Sequence, residues 1–467
     1  VLDVDFNVVG QPAIMRGSLL NPFPVSQELD GVSITNRGAI TVNRLAPFTY
    51  YGAAVLLGYH DSFTNEGTIT VIDTSGQAGA PLSAISGGEV VNSGTITVRK
   101  GNGINGATSL TNSGTITASD VAALDIQETV TNSGSLVSTG GVAIATSSYS
   151  PALLVDNKAG GTIAGNGTAI RLSGGAVINA GAIEGTVDLG YTPYFGRSYA
   201  SGLYVAAGGT LTGDLLFGSG NDVIVETGSG LGVSGRIVAG SGSLYLGHER
   251  SHTASITLQA APPAGFQREF VSARGQDTVL TITAASTVSG AIMLAGDGQI
   301  VNEASTHGSI VGPDSTLLSF SYFSSYLASF TNKAQVDGQI RLGVSSLHNS
   351  GTVGSAAWID NAVYQGTSGA LSFDNAGSVT SAGGRNAAPT VRLDGSGLAS
   401  ATIANSGTIT GGGLLATLSF DGAAGTGAAP TGRFVNSGTI SGAYGVTLAS
   451  SVTNNTVVNS SETGPAD

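Results

Sequence analysis

Val90-Val91-Asn92-Ser93-Gly94-Thr95-Ile96-Thr97-Val98 decides the fold. It returns as Leu110-Thr111-Asn112-Ser113-Gly114-Thr115-Ile116-Thr117 and as Val130-Thr131-Asn132-Ser133-Gly134-Ser135-Leu136, at intervals of 20 residues. In each copy an apolar residue precedes Asn. Asn and Gly both tolerate left-handed backbone, so Asn-x-Gly reads as a sharp corner. Thr-Ile-Thr-Val then alternates, with Ile on one side and Thr on the other, which is the pattern of a half-buried strand.

A strand and a corner at a fixed short interval are the signature of a solenoid. The period is too short for helical-pair repeats, and no 3.6-residue apolar rhythm runs through it. The fold class expected is all-β: a single elongated parallel β-helix (β-solenoid). The coils stack about 4.8 Å apart and are right-handed by the usual crossover rule. Some 18 to 21 coils would give a rod on the order of 90–100 Å. Inward Ile, Leu and Val form the core, and the corner amides bond coil to coil in a ladder. The residues expected in that ladder are Asn36, Asn65, Asn92, Asn112, Asn132, Asn157, Asn179, Asn332, Asn349, Asn375, Asn405 and Asn436.

The chain organisation follows from where this corner appears. Residues 1–30 do not repeat and read as an N-terminal cap or irregular first coil. Residues 31–190 carry Asn-x-Gly corners, with insertions such as Pro47-Phe48-Thr49-Tyr50-Tyr51. Over 191–330 the corner fades into Gly-rich turns and aromatic loops, and Ala261-Pro262-Pro263-Ala264-Gly265-Phe266 reads as a projecting loop. The Asn corner resumes over 331–459, with Asn454–Asn459 as a last coil, and 460–467 is a tail. Between 317 and 330, Leu317, Phe320, Phe323, Leu327 and Phe330 fall at helical spacing. That stripe predicts one short helix, or an irregular coil, sealing a lateral opening; a docking surface for a partner is the alternative.

Composition narrows the function classes. The chain has 467 residues, of which 72 are Gly and none Cys; only 10% are charged and the net charge is −13. Its three lysines, Lys100, Lys158 and Lys333, form no basic stripe, which argues against nucleic acid and anionic lipid as partners. Thiol chemistry is excluded. No apolar run is long enough for a membrane-spanning helix. The chain begins Val1-Leu2-Asp3 and shows no signal peptide, which reads as a processed or trimmed product. Few Lys with many Gly, Ser, Thr and Asn suggest an extracellular protein.

Candidate chemistry is sparse. His248-Glu249-Arg250-Ser251-His252 misplaces the Glu for a zinc-protease motif and reads as two solvated loop histidines. His60, His307 and His348 are isolated in sequence. Gly218-Ser219-Gly220-Asn221-Asp222 resembles one degenerate calcium-binding nonapeptide; a tight turn is its default reading and calcium the lesser one. No other cofactor is expected. Asp73, Asp120, Asp125, Asp188, Asp214, Asp297, Asp360 and Asp394 are read as outward carboxylates that only stacking between coils could group. Tyr191, Tyr194, Phe195, Tyr199 and Tyr204 crowd one stretch, and Phe48, Tyr50 and Tyr51 another. Such aromatics cover the core or stack among themselves by default, and contact a glycan or partner when exposed. Tyr191, Tyr194, Phe195 and Tyr199, with Phe320, Tyr322 and Phe323, are the contact residues expected.

With the Asn-Ser-Gly-Thr-Ile-Thr repeats, Gly-Thr-Val-Asp-Leu-Gly at 185–190 and Phe-Gly-Ser-Gly-Asn-Asp at 217–222, the chain resembles the β-helical passenger regions of bacterial autotransporters. It is similar also to filamentous-haemagglutinin-like adhesins. The likeness covers roughly 31–230 and 330–445. It implies an exported protein of a Gram-negative cell surface, often adhesive or structural. No translocator barrel follows Thr463-Gly464-Pro465-Ala466-Asp467, so the chain reads as a cleaved passenger, a fragment, or a protein exported by another route. The function expected is a non-catalytic extracellular structural β-solenoid, a surface stalk or adhesin or a self-assembling filament or layer subunit. Its partners would be copies of itself joined head to tail, or glycans or cell-surface receptors. The rival classes are a polysaccharide-active lyase or hydrolase and a carbohydrate- or receptor-binding module.

Overall fold

A computed structural model describes residues 6–9, 14–15, 31–44, 53–73, 82–119, 123–145, 153–191, 201–355, 363–366, 370–381, 389–394, 400–411, 416–421, 431–442, 444–448 and 453–459. The fold is the all-β parallel solenoid that the repeats predict. The chain divides into two compact units, Val1–Tyr245 and Leu246–Asp467, and each is built of stacked coils.

In the first unit a coil has three sides. Leu82–Ser86, Glu89–Asn92 and Thr95–Arg99 form one such coil. Gly101–Asn112 then lays its first half on Leu82–Ser86 and its second on Glu89–Asn92, while Thr115–Ala118 covers Thr95–Arg99. All these pairings are parallel. Among the described residues, the one isolated antiparallel contact is the bridge Ser173–Gly190.

Register makes the core. Ile40, Ile69, Ile96, Ile116, Leu136, Ile163, Ile183 and Leu211 lie one above another on successive coils, and each is buried. A one-residue slip would turn this row outward, so the apolar alternation itself holds the register. Each such side chain contributes about 1.5–3 kcal/mol on burial. In the second unit Val336, Val353, Val379, Ile409 and Ile440 form the equivalent row, and Ile300, Phe330, Leu347, Phe373, Ile403 and Phe434 form a second one on the strand before the corner.

The Asn-x-Gly corner works differently from the expectation. Gly67, Gly94, Gly114 and Gly134 do not have positive φ. Glycine is needed there because a Cβ on Gly94 would lie 2.0 Å from the Gly67 carbonyl oxygen, and one on Gly114 2.1 Å from that of Gly94. The left-handed turns sit at another corner of the same coils, at Gly87, Gly88 and Gly106.

Where the Asn-x-Gly corner fades, parallel pairing persists. Gly202–Ala206 pairs with Asp222–Glu226 in the first unit, and Arg268–Ala273 with Ile292–Gly296 in the second. The loop 261–266 is largely exposed. At the end of the chain Thr453–Asn459 adds a strand to Thr431–Asn436, with Asn459 opposite Asn436.

The stripe from Leu317 to Phe330 is not one helix. Ser315–Leu318 makes a single turn, capped by Asp314, whose carboxylate accepts from the Thr316 and Leu317 amides. Phe320 and Phe323 follow in irregular chain, and Phe330 belongs to the strand Leu327–Asn332. Phe330 stacks in register between Ile300 and Leu347, and that apolar row outweighs a helical spacing that spans only a few turns.

Candidate functional site

The corner asparagines do form a ladder. In the first unit the amide Nδ2 of Asn36 donates to Oδ1 of Asn65 at 2.7 Å, and the same bond links Asn65, Asn92, Asn112, Asn132, Asn157 and Asn179 at 2.8–2.9 Å. Every member is buried. The other Nδ2 hydrogen is used as well: that of Asn92 approaches the Gly94 carbonyl at 3.2 Å. The Asn92 carbonyl accepts from the Ser113 and Gly114 amides of the next coil. The residue type is thus dictated by geometry, since a buried amide at this position satisfies its own polar atoms and those of the turn.

In the second unit the ladder runs from Asn302 through Asn332, Asn349, Asn375 and Asn405 to Asn436 at 2.7–2.9 Å. Asn302 escapes a search for the repeat because Thr306 stands where Val336 follows Asn332, so no apolar strand residue marks the corner; Ala304 in the Gly position is shared with Ala334 of the Asn332 corner. The 30-residue step to Asn332 and the preceding Ile300-Val301 are the signal that finds it. Its Oδ1 accepts from the Ala304 amide, which closes the ladder at that end.

The expected aromatic contacts fare unequally. Tyr194, Phe195, Tyr199, Phe48, Tyr50 and Tyr51 lie outside the described residues. Tyr191 is 36% exposed, with the Arg171 guanidinium 5.3 Å from its ring centre. Tyr204 is fully buried: it occupies the core row between Val177 and Ile224, so it is not a surface aromatic. Phe323 is buried too, packed edge-on against Phe270 at 5.3 Å and Tyr322 at 5.1 Å. Phe320 is half-buried.

The carboxylates are mostly spoken for. Asp120 and Asp360 lie outside the described residues. Asp73 is buried rather than outward, and Asp125 is half-buried. Asp214 pairs with Arg236 on the next coil at 2.6 Å, which lowers its pKa. Asp394 accepts from the Tyr364 hydroxyl at 3.1 Å, and Asp188 from the Gly190 amide. Asp222 of the nonapeptide-like turn points inward, 2% exposed, and accepts from the Gly202 amide at 2.7 Å. Burial pushes its carboxyl up to about 7, against the pull of that amide.

The histidines are engaged across coils. His307 meets Asp337 and His348 meets Asp374, each at 2.8 Å. His248 lies in a strand, not a loop, 3.2 Å from Glu269, whereas His252 is exposed. Among the described residues no three His, Asp or Glu side chains converge to hold a metal ion.

One cluster in the second unit was missed by sequence reasoning. Glu249, set aside as the misplaced Glu between two histidines, is 4% exposed. The Tyr322 hydroxyl donates to its Oε1 at 2.7 Å, the Ser272 hydroxyl to its Oε2 at 3.4 Å, and the Arg274 guanidinium stands 3.6 Å away. Arg274 also covers the Tyr322 ring at 4.2 Å. Burial raises the Glu249 carboxyl, with the Tyr322 hydroxyl and Arg274 pulling it partway back. Burial and then the Glu249 charge raise the Tyr322 phenol, which therefore stays protonated and donates. The cluster borders a recess of about 320 Å³ that Asp297 also lines. A second depression, of about 450 Å³, runs along Leu258–Pro262 and Val288–Met293. Its two charged residues are paired, Arg268 with Asp314 and Glu269 with His248.

Parallel coils and a buried amide ladder define the class, a parallel β-solenoid. No family model, no curated protein and no solved structure matches the chain.

Proposed function

We propose that the chain is a non-catalytic structural β-solenoid of an exported bacterial surface protein, serving as a stalk or adhesive scaffold or as the subunit of a self-assembling filament or layer. The observation that carries this reading is the ladder. In both units the best-repeated polar residue is spent on joining each coil to the next, not on a site open to solvent. The apolar rows repeat with it. A sequence devoted to stacking gives a stiff body with a dense hydrogen-bond network, which suits a load-carrying or display role. The resemblance to autotransporter passengers and haemagglutinin-like adhesins supports the surface location.

Electron microscopy of the purified chain over a concentration series separates the two forms of the proposal. Discrete particles at all concentrations favour a stalk or adhesin; long unbranched filaments favour a polymer subunit. Cleavage of any member of a polysaccharide panel, read as new reducing ends or unsaturated products, would overturn the non-catalytic reading.

A further inference from the structure

Residues 312–326 of the second unit leave the regular coil and lie against several strands. Asp314 approaches Arg268, Phe323 packs on Phe270, the Ser324 carbonyl accepts from the Gly296 amide, and Tyr322 reaches Glu249. Tyr322 and Glu249 are 73 residues apart in the chain. Gly247 leaves the room this needs: a Cβ there would lie 2.2 Å from Phe270 Cζ. The recess under this strap is about 320 Å³, and recesses of roughly 300 Å³ and more are where small ligands bind. Its floor is the buried Glu249. Arg274, with its side chain 51% exposed, and the exposed Ser321 mark the side on which it opens.

The charges on its walls select a chemical class. Asp297 gives one oxygen to the Gly275 amide at 2.6 Å; its second oxygen can only accept hydrogen bonds. The guanidinium of Arg274 can only donate. An anionic ligand is opposed by Asp297 and a cationic one by Arg274. An apolar ligand would strip water from both without replacing it, at a cost. A neutral ring bearing adjacent hydroxyls meets both demands, because one hydroxyl accepts from Arg274 while its neighbour donates to Asp297. Glu249 and the Tyr322 hydroxyl are already bonded to each other, so the floor asks little of the ligand.

We infer that this recess is a saccharide-binding site that takes the vicinal diol of a neutral hexopyranose between Arg274 and Asp297. The site is independent of the scaffold role: its absence would leave a structural solenoid, and the microscopy above does not depend on it.

Titration calorimetry of the full chain with glucose, galactose, mannose and N-acetylglucosamine tests it, with galacturonate and glucosamine as charged comparators. At least one neutral sugar is expected to bind saturably and more tightly than either comparator. Arg274→Gln and Asp297→Asn should each weaken that binding tenfold or more in a chain that circular dichroism shows to be folded. Should Arg274→Gln unfold the strap, Ser321→Trp on the exposed rim blocks the opening without touching the core and carries the test. The inference fails if no neutral sugar saturates at millimolar concentration. It fails equally if the charged sugars bind as well, or if Asp297→Asn and Ser321→Trp leave binding intact.

Discussion

The Nδ2 of Asn179 donates to the hydroxyl of Tyr204 at 3.3 Å, and both side chains are fully buried. The amide ladder that begins at Asn36 thus ends on a phenol. On the next coil Ala206 lies opposite Asn179, so no further asparagine is available. Tyr204 fills the core row with its ring and supplies the acceptor with its oxygen. Burial raises that phenol to about 12, the Asn179 amide opposing the shift, so it stays neutral at physiological pH.

Tyr204→Phe removes that acceptor and little volume. Asn179 keeps a contact to the Thr210 carbonyl at 3.1 Å, so the expected loss is about 1 kcal/mol, the ordinary worth of one hydrogen bond. Urea unfolding monitored by circular dichroism measures it. A loss several times larger would mean that the phenol organises the coil and does not merely end the ladder.

Asn112→Ala is the sharper test of the ladder. It removes the partner of the Nδ2 donor of Asn92 and of the Oδ1 acceptor of Asn132, which are held at 2.8 Å on either side. The buried Oδ1 of Asn132 left unpaired costs about 1–3 kcal/mol, and the bond lost by Asn92, whose Nδ2 keeps the Gly94 carbonyl at 3.2 Å, about 1 kcal/mol more. The exposed neighbour Ser113→Ala should stay within about 0.5 kcal/mol. Equal effects of the two substitutions in chemical unfolding would remove the ladder from the account of stability.

Gly94→Ala should destabilise although Gly94 does not have positive φ. The added Cβ would sit 2.0 Å from the Gly67 carbonyl oxygen, a backbone atom held in its own coil. At Gly106, φ is +67 and the Cβ would meet nothing within 4 Å, so Gly106→Ala carries only the roughly 1 kcal/mol backbone cost. Melting temperatures should therefore rank wild type, then Gly106→Ala, then Gly94→Ala. The reverse order would contradict close coil approach as the reason for the corner glycine.

Asp222 makes stability depend on pH. Its carboxyl is raised from 3.8 to about 7 by burial, so the folded chain holds this proton more tightly than the unfolded one. The stabilising contribution is complete below about 4 and is lost as pH rises through about 7. Asp222→Asn keeps an acceptor for the Gly202 amide and cannot ionise. Relative to that variant, wild type should lose melting temperature steadily between pH 4 and pH 8. A constant difference over that interval would show that the buried carboxyl does not titrate there.

Tyr322→Phe leaves Glu249 with only Ser272 and Arg274. The expected cost is about 1–3 kcal/mol, that of a buried acceptor losing its shortest bond. Carbon-13 NMR of the Glu249 carboxyl should show its pKa rising further. An unmoved titration would place the Tyr322 hydroxyl elsewhere in solution.

Much of this is legible in the sequence. Ile96 alternating with Thr95 and Thr97, and Asn92 returning as Asn112 and Asn132, contain the coil, its inward row and its ladder. What repeats along the chain stacks in space, because parallel pairing in register sets like residues on like residues. That logic reached Asn179 and Asn436 but passed over Asn302, whose corner is followed by Thr306 where that of Asn332 is followed by Val336. It also misread the corner glycines, whose need lies in the coil beneath and not in their own backbone angles.

The sequence by itself therefore determined the repeated part of the protein: the strands, the apolar rows and the amides that bind coil to coil. Tertiary structure alone decided what does not repeat. It buried Tyr204 in the core and turned Asp222 inward. It also drew Tyr322 onto Glu249 across 73 residues, with Asp297 around the same recess. The physical reason is that a periodic pattern encodes contacts between equivalent positions. A strap folded over the side of the coils makes contacts between unlike positions, at separations set by loop lengths, and no local pattern encodes them.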